Sequence, residues 1–145
     1  MANPLIQLGT LNRLVASVVW QAFPQLNVIA SFLNREGIRL ALDGNATAFL
    51  PAMTGAVTSP EPYQMVTLTI HLLKTQFLAP LYKQQMEQST LLGDCVVRPD
   101  STTFPPYDLT NMAIEGVREL NLSGEDAGWA VVTRGTYYVN ANLWL

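Results

Sequence analysis

The stretch from Thr58 to Asp94 constrains the fold more than any other part of the chain, because its hydrophobic period changes once. From Gln64 to Leu73, apolar residues alternate with Thr67, Thr69 and His71. This period of two predicts a strand with one apolar and one polar face. After Thr75 the apolar residues recur at helical spacing instead. They are Phe77, Leu78, Leu81, Tyr82 and Met86.

We therefore predict a helix over residues 75–92 that packs on the rest of the domain through one apolar stripe. Thr75 is the expected N-cap and Gly93 the expected left-handed C-cap. Pro80 leaves the start open, because proline fits best in the first helical turn. Either the regular helix begins near Pro80, or its first turn is distorted.

The composition indicates a chain that hides surface in an assembly. Charged residues make up only 13% of the sequence and hydrophobic residues 49%, whereas about 25% of residues are charged in typical soluble domains. A small, apolar-rich monomer is the alternative. The net charge of -3 provides no basic patch of the kind that captures nucleic acid. The apolar runs are too short to span a bilayer, so we expect no membrane insertion.

The rest of the chain reads as many short strands joined by turns. Residues 1–13 read as a loosely structured arm, residues 26–42 as a hairpin, and residues 107–122 as either two strands or a helix. Further strands are predicted at 14–20, 94–98 and 129–139. We predict a single domain over 1–145 that is mainly β, a β-sandwich or barrel with one flanking α-helix.

Residues 43–62 differ from the rest, because they are rich in Gly, Ala, Thr and Pro and show no sustained period. Loops of this length are uncommon in compact domains and are usually functional or disordered. Phe49, Leu50, Met53 and Val57 are too apolar for a solvated linker. The segment is predicted to be a long projecting loop that contacts a partner. The alternative is a loop folded back over its own core.

No catalytic constellation is evident in the sequence. His71 is the sole histidine and Cys95 the sole cysteine, so both are interpreted as structural, and no internal disulfide can form. Two carboxylate pairs, Glu115 with Glu119 and Glu125 with Asp126, fit solvated surface charge better than an acid–base dyad. The glycines show no phosphate-binding spacing. We expect neither enzymatic activity nor a cofactor or metal.

Five segments of the chain form a recognisable series. They are Ser59–Tyr63, the strand Val66–Leu72, Lys74–Gln76 before a helix with Tyr82 and Gln85, Leu92–Asp94, and Gly135–Asn140. Together they resemble the tail tube protein of contractile-tailed bacteriophages. The likeness covers most of the chain in order and length, and its motifs are diffuse.

The resemblance implies a fold shared with the tubes of contractile injection systems, including the haemolysin-coregulated protein of type VI secretion. In that family six subunits form a ring, and rings stack into a hollow tube inside a sheath. The implied partners are further copies of the chain, the sheath, baseplate, tail terminator and tape measure proteins, and DNA in the lumen without specific binding. The implied location is the virion tail, assembled in the cytoplasm of the bacterial host.

The resemblance also assigns candidate surfaces. The segment 43–62 would reach the neighbouring ring, and the polar strand face of Thr67, Thr69 and His71 would face the lumen or a neighbour. The inter-ring contacts would be Phe49, Leu50, Met53, Val57, Pro60 and Pro62. Candidate lumen acids, by position only, are Asp43, Glu61, Asp94 and Asp100.

Two alternatives to a phage tail tube stay open. One is the tube of a tailocin or a type VI-like injection system. The other is a monomeric β-barrel that binds a small apolar ligand in a pocket lined by Trp20, Trp129 and Trp144, although core packing explains such aromatics as well.

Overall fold

The computed structural model describes residues 16–99 and 104–143. The predicted N-terminal arm at residues 1–13 lies outside these residues, as do Asp100 and Trp144. The described chain forms eight strands, one α-helix and short 3₁₀ turns. The elements are β1 Ala16–Trp20, β2 Leu33–Asp43, β3 Thr47–Ala52, β4 Gly55–Pro60, β5 Tyr63–Leu73, α1 Leu78–Gln88, β6 Leu91–Pro99, β7 Tyr107–Arg118 and β8 Gly128–Tyr138.

Six of the strands form one antiparallel sheet that curls into a half-barrel, in the order β1-β6-β7-β8-β5-β2. Strand β5 lies inside this sheet and pairs with β8 without interruption, from Tyr63 opposite Tyr138 to Leu73 opposite Gly128. The predicted fold class, mainly β with a flanking helix, is confirmed.

The hydrophobic core lies against one face of β5. The apolar side chains of its period-two pattern, Val66, Leu68, Ile70 and Leu72, are all fully buried. The helix contributes Leu78 and Tyr82 to the same core. One buried polar side chain is satisfied within it, because the Thr133 hydroxyl donates to the Leu68 carbonyl at 3.0 Å. In the alternating pattern of β5, the apolar residues therefore face the core and the polar residues face away from it.

The helix is shorter than predicted. It begins at Leu78 and ends at Gln88, and its N-cap is Phe77 rather than Thr75. Pro80 lies in the first turn, where the backbone amide has no partner within the helix, so its missing N–H is tolerated. Gly93 does not cap the helix. It takes a φ of +83° inside β6, where the register with β7 shifts. The left-handed conformation of this glycine thus belongs to an irregularity in β6 and not to the end of the helix.

The predicted hairpin over 26–42 is wrong. Residues 24–26 and 30–32 form 3₁₀ turns, and between them Val28 makes a single bridge to Val18. Strand β2 pairs with β5 instead. Residues 107–118 are one strand, not a helix, and the register shifts along it explain why its period was ambiguous in the sequence.

Two predictions about single features can be compared with the structure. Cys95 is buried in β6, as expected for a small structural side chain. Burial raises the pKa of its thiol to about 12, with the nearby charges of Asp94 and Asp108 acting in the same direction. No helix within the described ranges is long and apolar enough to cross a membrane.

Candidate assembly surface

Residues 43–62 contain a regular β-hairpin, which corrects the prediction of an irregular loop. Strands β3 and β4 pair from Thr47 opposite Pro60 to Ala52 opposite Gly55, around a two-residue turn at Met53 and Thr54. The sequence shows no alternation here because both faces of the hairpin are exposed, so neither face is selected to be apolar. We call residues 47–60 the hairpin arm.

The hairpin arm extends the β2–β5 strand pair beyond the main sheet. Strands β2 and β5 pair as far as Asp43 opposite Met65, and the arm then forms a separate two-stranded sheet. Gly44, with a φ of +81°, lies at the junction, a conformation that favours glycine. The arm therefore leaves the half-barrel as a projection of the same ribbon.

Exposed apolar side chains occupy both faces and the tip of the arm. Leu50 lies directly opposite Val57, and the two side chains are 53% and 57% exposed. Phe49, on the other face, is 68% exposed, and Met53 at the turn is fully exposed. None of them belongs to the core cluster. The alternative of a segment folded back over its own core is therefore not what these residues adopt.

The base of the arm is fastened to the end of β8 by one side chain. The Asn140 amide donates to the carbonyls of Ala46 and Glu61 at 3.0 and 2.8 Å. The Glu61 amide also donates to the Ala46 carbonyl. Of the predicted contact residues, Pro60 and Pro62 lie at this base and are only partly exposed. The arm is thus held by hydrogen bonds at its base and is apolar at its tip.

Replacing Asn140 should weaken the attachment of the arm at its base. Asn140 has a φ of 55°, which glycine tolerates and alanine does not. We expect Asn140→Gly to cost about 1 kcal/mol through the lost hydrogen bonds, and Asn140→Ala to cost about 1–2 kcal/mol more through backbone strain. Hydrogen exchange at the Glu61 amide should accelerate in both variants. Exchange and stability equal to those of the native chain in both would show that Asn140 does not hold the arm.

The polar face of β5 lies on the side of the sheet away from the core. On β8, Arg134 is opposite Thr67, Val132 opposite Thr69, and Ala130 opposite His71. The Thr67 hydroxyl donates to the Asp43 carboxylate at 2.5 Å, and Arg134 lies 3.3 Å from the same carboxylate. Asp43 and Arg134 are thus paired on this face, and Arg39, opposite Thr69, is exposed on it.

The candidate lumen acids do not form one cluster. Asp43 and Glu61 lie on either side of the arm's base, and Asp43 is paired with Arg134. Asp94 lies exposed on β6, where its carboxylate accepts a hydrogen bond from the backbone N–H of Asn111 at 3.3 Å. Asp100 falls outside the described residues. Only Asp43 and Glu61 are close in position to the arm.

Sequence reasoning missed the partners of His71. Its Nδ1 lies 2.9 Å from the Glu36 carboxylate and 3.6 Å from that of Glu119. Glu115 and Glu119, which the sequence presents as a pair, serve different groups, because Glu115 lies 3.8 Å from Arg134. No spacing in the sequence indicates these contacts, since they depend on strand register.

Strand β2 forms an open edge of the half-barrel. It pairs with β5 on one side only, and none of its eleven residues is fully buried. At the opposite edge, β1 makes one bridge to Val28 beyond its pairing with β6. An unpaired strand edge is a template for pairing with another chain. Strand β2 is therefore a second candidate surface for pairing with another chain.

A groove of about 640 Å³ runs beside this edge. Its walls come from β1, β2 and β6 with Ala30, Phe104 and Tyr107, and they include Leu33, Ile38, Leu40 and Val97. Trp20 and Trp129 do not line it, because both are buried in the core. These two tryptophans therefore act as core aromatics, and a ligand pocket built on them is not present in the described chain.

No protein-family model matches the chain, and no curated protein matches it either.

Proposed function

We propose that this chain is the structural subunit of a phage tail tube. Six copies form a ring, and rings stack into a hollow tube inside a contractile sheath. The observation that carries the proposal is the hairpin arm, a rooted projection whose apolar side chains have no cover within the described chain. The diffuse likeness of the sequence to tail tube proteins supports the same proposal.

The arm supports stacking because it needs a partner that its own chain does not supply. An isolated two-stranded hairpin is marginally stable in water. Phe49 on one face and the Leu50–Val57 pair on the other expose apolar surface on both sides. When such an arm enters a different patch of an identical subunit, the contact is heterologous, and repetition along an axis gives an open stack.

The open edge supports ring closure. Strand β2 has an unpaired side, and its side chains are only partly buried in the single chain. If a neighbouring copy covers β2, the sheet continues between subunits and the exposed edge disappears. The low charged fraction of 13% fits extensive permanent interfaces, which are more apolar than transient ones.

The outer sheet face fits a conduit for DNA. On this face Asp43 is paired with Arg134, and the chain is acidic overall with a net charge of -3. An acidic chain repels phosphates on the whole, so DNA can slide. In this proposal the sheath surrounds the tube, baseplate and terminator proteins meet its ends, and the tape measure protein and DNA occupy its lumen in the virion tail.

Imaging of the purified full chain tests the proposal. Negative-stain electron microscopy should show rings with a central hole at moderate concentration and stacked tubes at high concentration. Light scattering on the same samples should give a mass of several chains. A mass of one chain at every concentration, with neither rings nor tubes in the images, would contradict the proposal.

A further inference from the structure

We propose that Glu36, His71 and Glu119 form a binding site for one divalent transition-metal ion of the Zn²⁺ type. The three side chains place an imidazole nitrogen and two carboxylate oxygens within 4.8 Å of one another. This site is separate from the hairpin arm. Its existence does not depend on tube assembly.

Strand register brings the three donors together from three parts of the chain. His71 lies on β5, and the register between β2 and β5 shifts between Leu33 and Ile38, so that Glu36 belongs to a bulge beside His71. On the other side, Ala130 of β8 lies opposite both His71 and Arg118, and Glu119 follows Arg118 with a φ of 58°. The methyl side chain of Ala130 leaves room for Glu119 to approach the imidazole.

The distances between the donors suit a common ion. His71 Nδ1 is 2.9 Å from Glu36 Oε2 and 3.6 Å from Glu119 Oε2. Zinc binds nitrogen and oxygen ligands at about 2.0–2.2 Å, so two ligands of one ion lie roughly 3–4 Å apart. The glutamate side chains are 58% and 60% exposed, so each has room to adjust its position around an ion.

The electrostatics also favour a cation between the two carboxylates. Within the described residues, His71 is the only basic group at ion-pair distance from Glu36 or Glu119. When the imidazole is neutral, the cluster carries two negative charges and no positive charge. A divalent ion would neutralise both carboxylates and use the free imidazole nitrogen as its third ligand.

The donor set indicates the class of metal. One imidazole with two carboxylates and no thiolate suits Zn²⁺, Mn²⁺ or Co²⁺ better than soft copper(I), and the imidazole disfavours Ca²⁺ and Mg²⁺. Three protein ligands leave a coordination position for water. A bound ion would join β2, β5 and the segment after β7, and would thereby stabilise the fold.

Titration of the full chain with Zn²⁺ tests the site. Calorimetry should show one ion bound per chain, and the Tm should rise by roughly 5–10 °C when the free ion is about 100-fold above its Kd. The double variant E36Q/E119Q should lose at least about 10-fold in affinity. Because the side chains of Glu36 and Glu119 are exposed, the double variant should fold. Circular dichroism checks that it does. Glu125→Gln, an exposed carboxylate in the β7–β8 connection, is the matched control and should bind as the native chain does.

A further readout separates metal binding from a simple histidine–glutamate ion pair. Bound Co²⁺ should give a visible spectrum without a thiolate charge-transfer band. Equal Zn²⁺ affinity in the native chain and in E36Q/E119Q, no saturable binding by either, or a thiolate band from Cys95 would overturn the proposal.

Discussion

Replacing the exposed apolar residues of the hairpin arm with serine is expected to leave the subunit folded and to abolish stacking. The effect should be large, because in the proposed tube these side chains become buried only when rings meet. Full burial of a large apolar side chain contributes about 1.5–3 kcal/mol. Leu50 and Val57 are slightly more than half exposed, so each has about 1 kcal/mol still to gain, and Met53 has more. The four substituted residues are Phe49, Leu50, Met53 and Val57.

In the proposed tube, the loss of contact free energy adds up over all arms of a ring. A deficit of about 4 kcal/mol for each arm corresponds to roughly a 1000-fold weaker contact. Each ring of the proposed tube carries one arm for every subunit, so the deficits add over the whole ring junction. Electron microscopy of the variant should therefore show single rings and no tubes, while its thermal unfolding resembles that of the native chain.

A matched control separates the arm from apolar surface in general. Four exposed apolar side chains outside the arm can be replaced with serine in the same way. This control should still form tubes, because these positions belong neither to the arm nor to β2. Tubes from the arm variant, or loss of tubes in both variants, would remove the role assigned to the arm. The control residues are Ile29, Leu91, Leu120 and Leu122.

Tyr82→Phe is expected to cause the largest loss of stability for the removal of a single atom. The Tyr82 hydroxyl accepts from Trp20 Nε1 at 3.1 Å and donates to the Leu26 carbonyl at 2.6 Å, and all three residues are buried. Its removal leaves one donor and one acceptor unsatisfied in the core, at about 1–3 kcal/mol for each. We expect the free energy of unfolding in urea to fall by about 2–4 kcal/mol.

Alkaline pH gives a second readout for the same residue. Burial raises the pKa of the Tyr82 hydroxyl well above its usual value of 10.0. The unfolded chain therefore loses this proton at lower pH than the folded chain. The stabilisation is complete below the unfolded value and is lost as the pH rises beyond it. In Tyr82→Phe this part of the alkaline destabilisation should be absent.

Tyr138→Phe is the matched control, because the Tyr138 side chain is 60% exposed. Removing its hydroxyl should change the unfolding free energy by less than about 0.5 kcal/mol. If Tyr82→Phe behaved like Tyr138→Phe, the link from β1 to the helix would contribute little to stability.

The elements that face the core were predictable from the sequence. Strand β5 and the helix were recognised because each has one buried face, so its apolar period is complete, as with Val66, Leu68 and Ile70. The same reasoning failed where burial does not select the residues. The hairpin arm exposes both faces, so Phe49 and Leu50 are adjacent apolar residues on opposite faces, and no alternation marks the strand.

The contacts that create the candidate sites depend on register and could not be read from the chain. Glu36, His71 and Glu119 are far apart in the sequence and meet through a bulge in β2 and the pairing of β5 with β8. Asn140 fastens the arm through a left-handed backbone that asparagine tolerates, a local feature without a sequence signature of its own. The sequence did identify the exposed apolar residues of the arm as an unusual group, although not their strand geometry.

Photo-crosslinking from the tip of the arm tests the central claim most directly. A photoreactive amino acid at position 53, in place of the fully exposed Met53, is incorporated into isotopically labelled chain that is mixed with unlabelled chain and assembled. After irradiation, mass spectrometry should find labelled arm peptides joined to unlabelled peptides from a surface outside residues 47–60. Crosslinks that join only peptides of the same chain, in a sample that has assembled, would contradict the assignment of the hairpin arm as the contact between subunits.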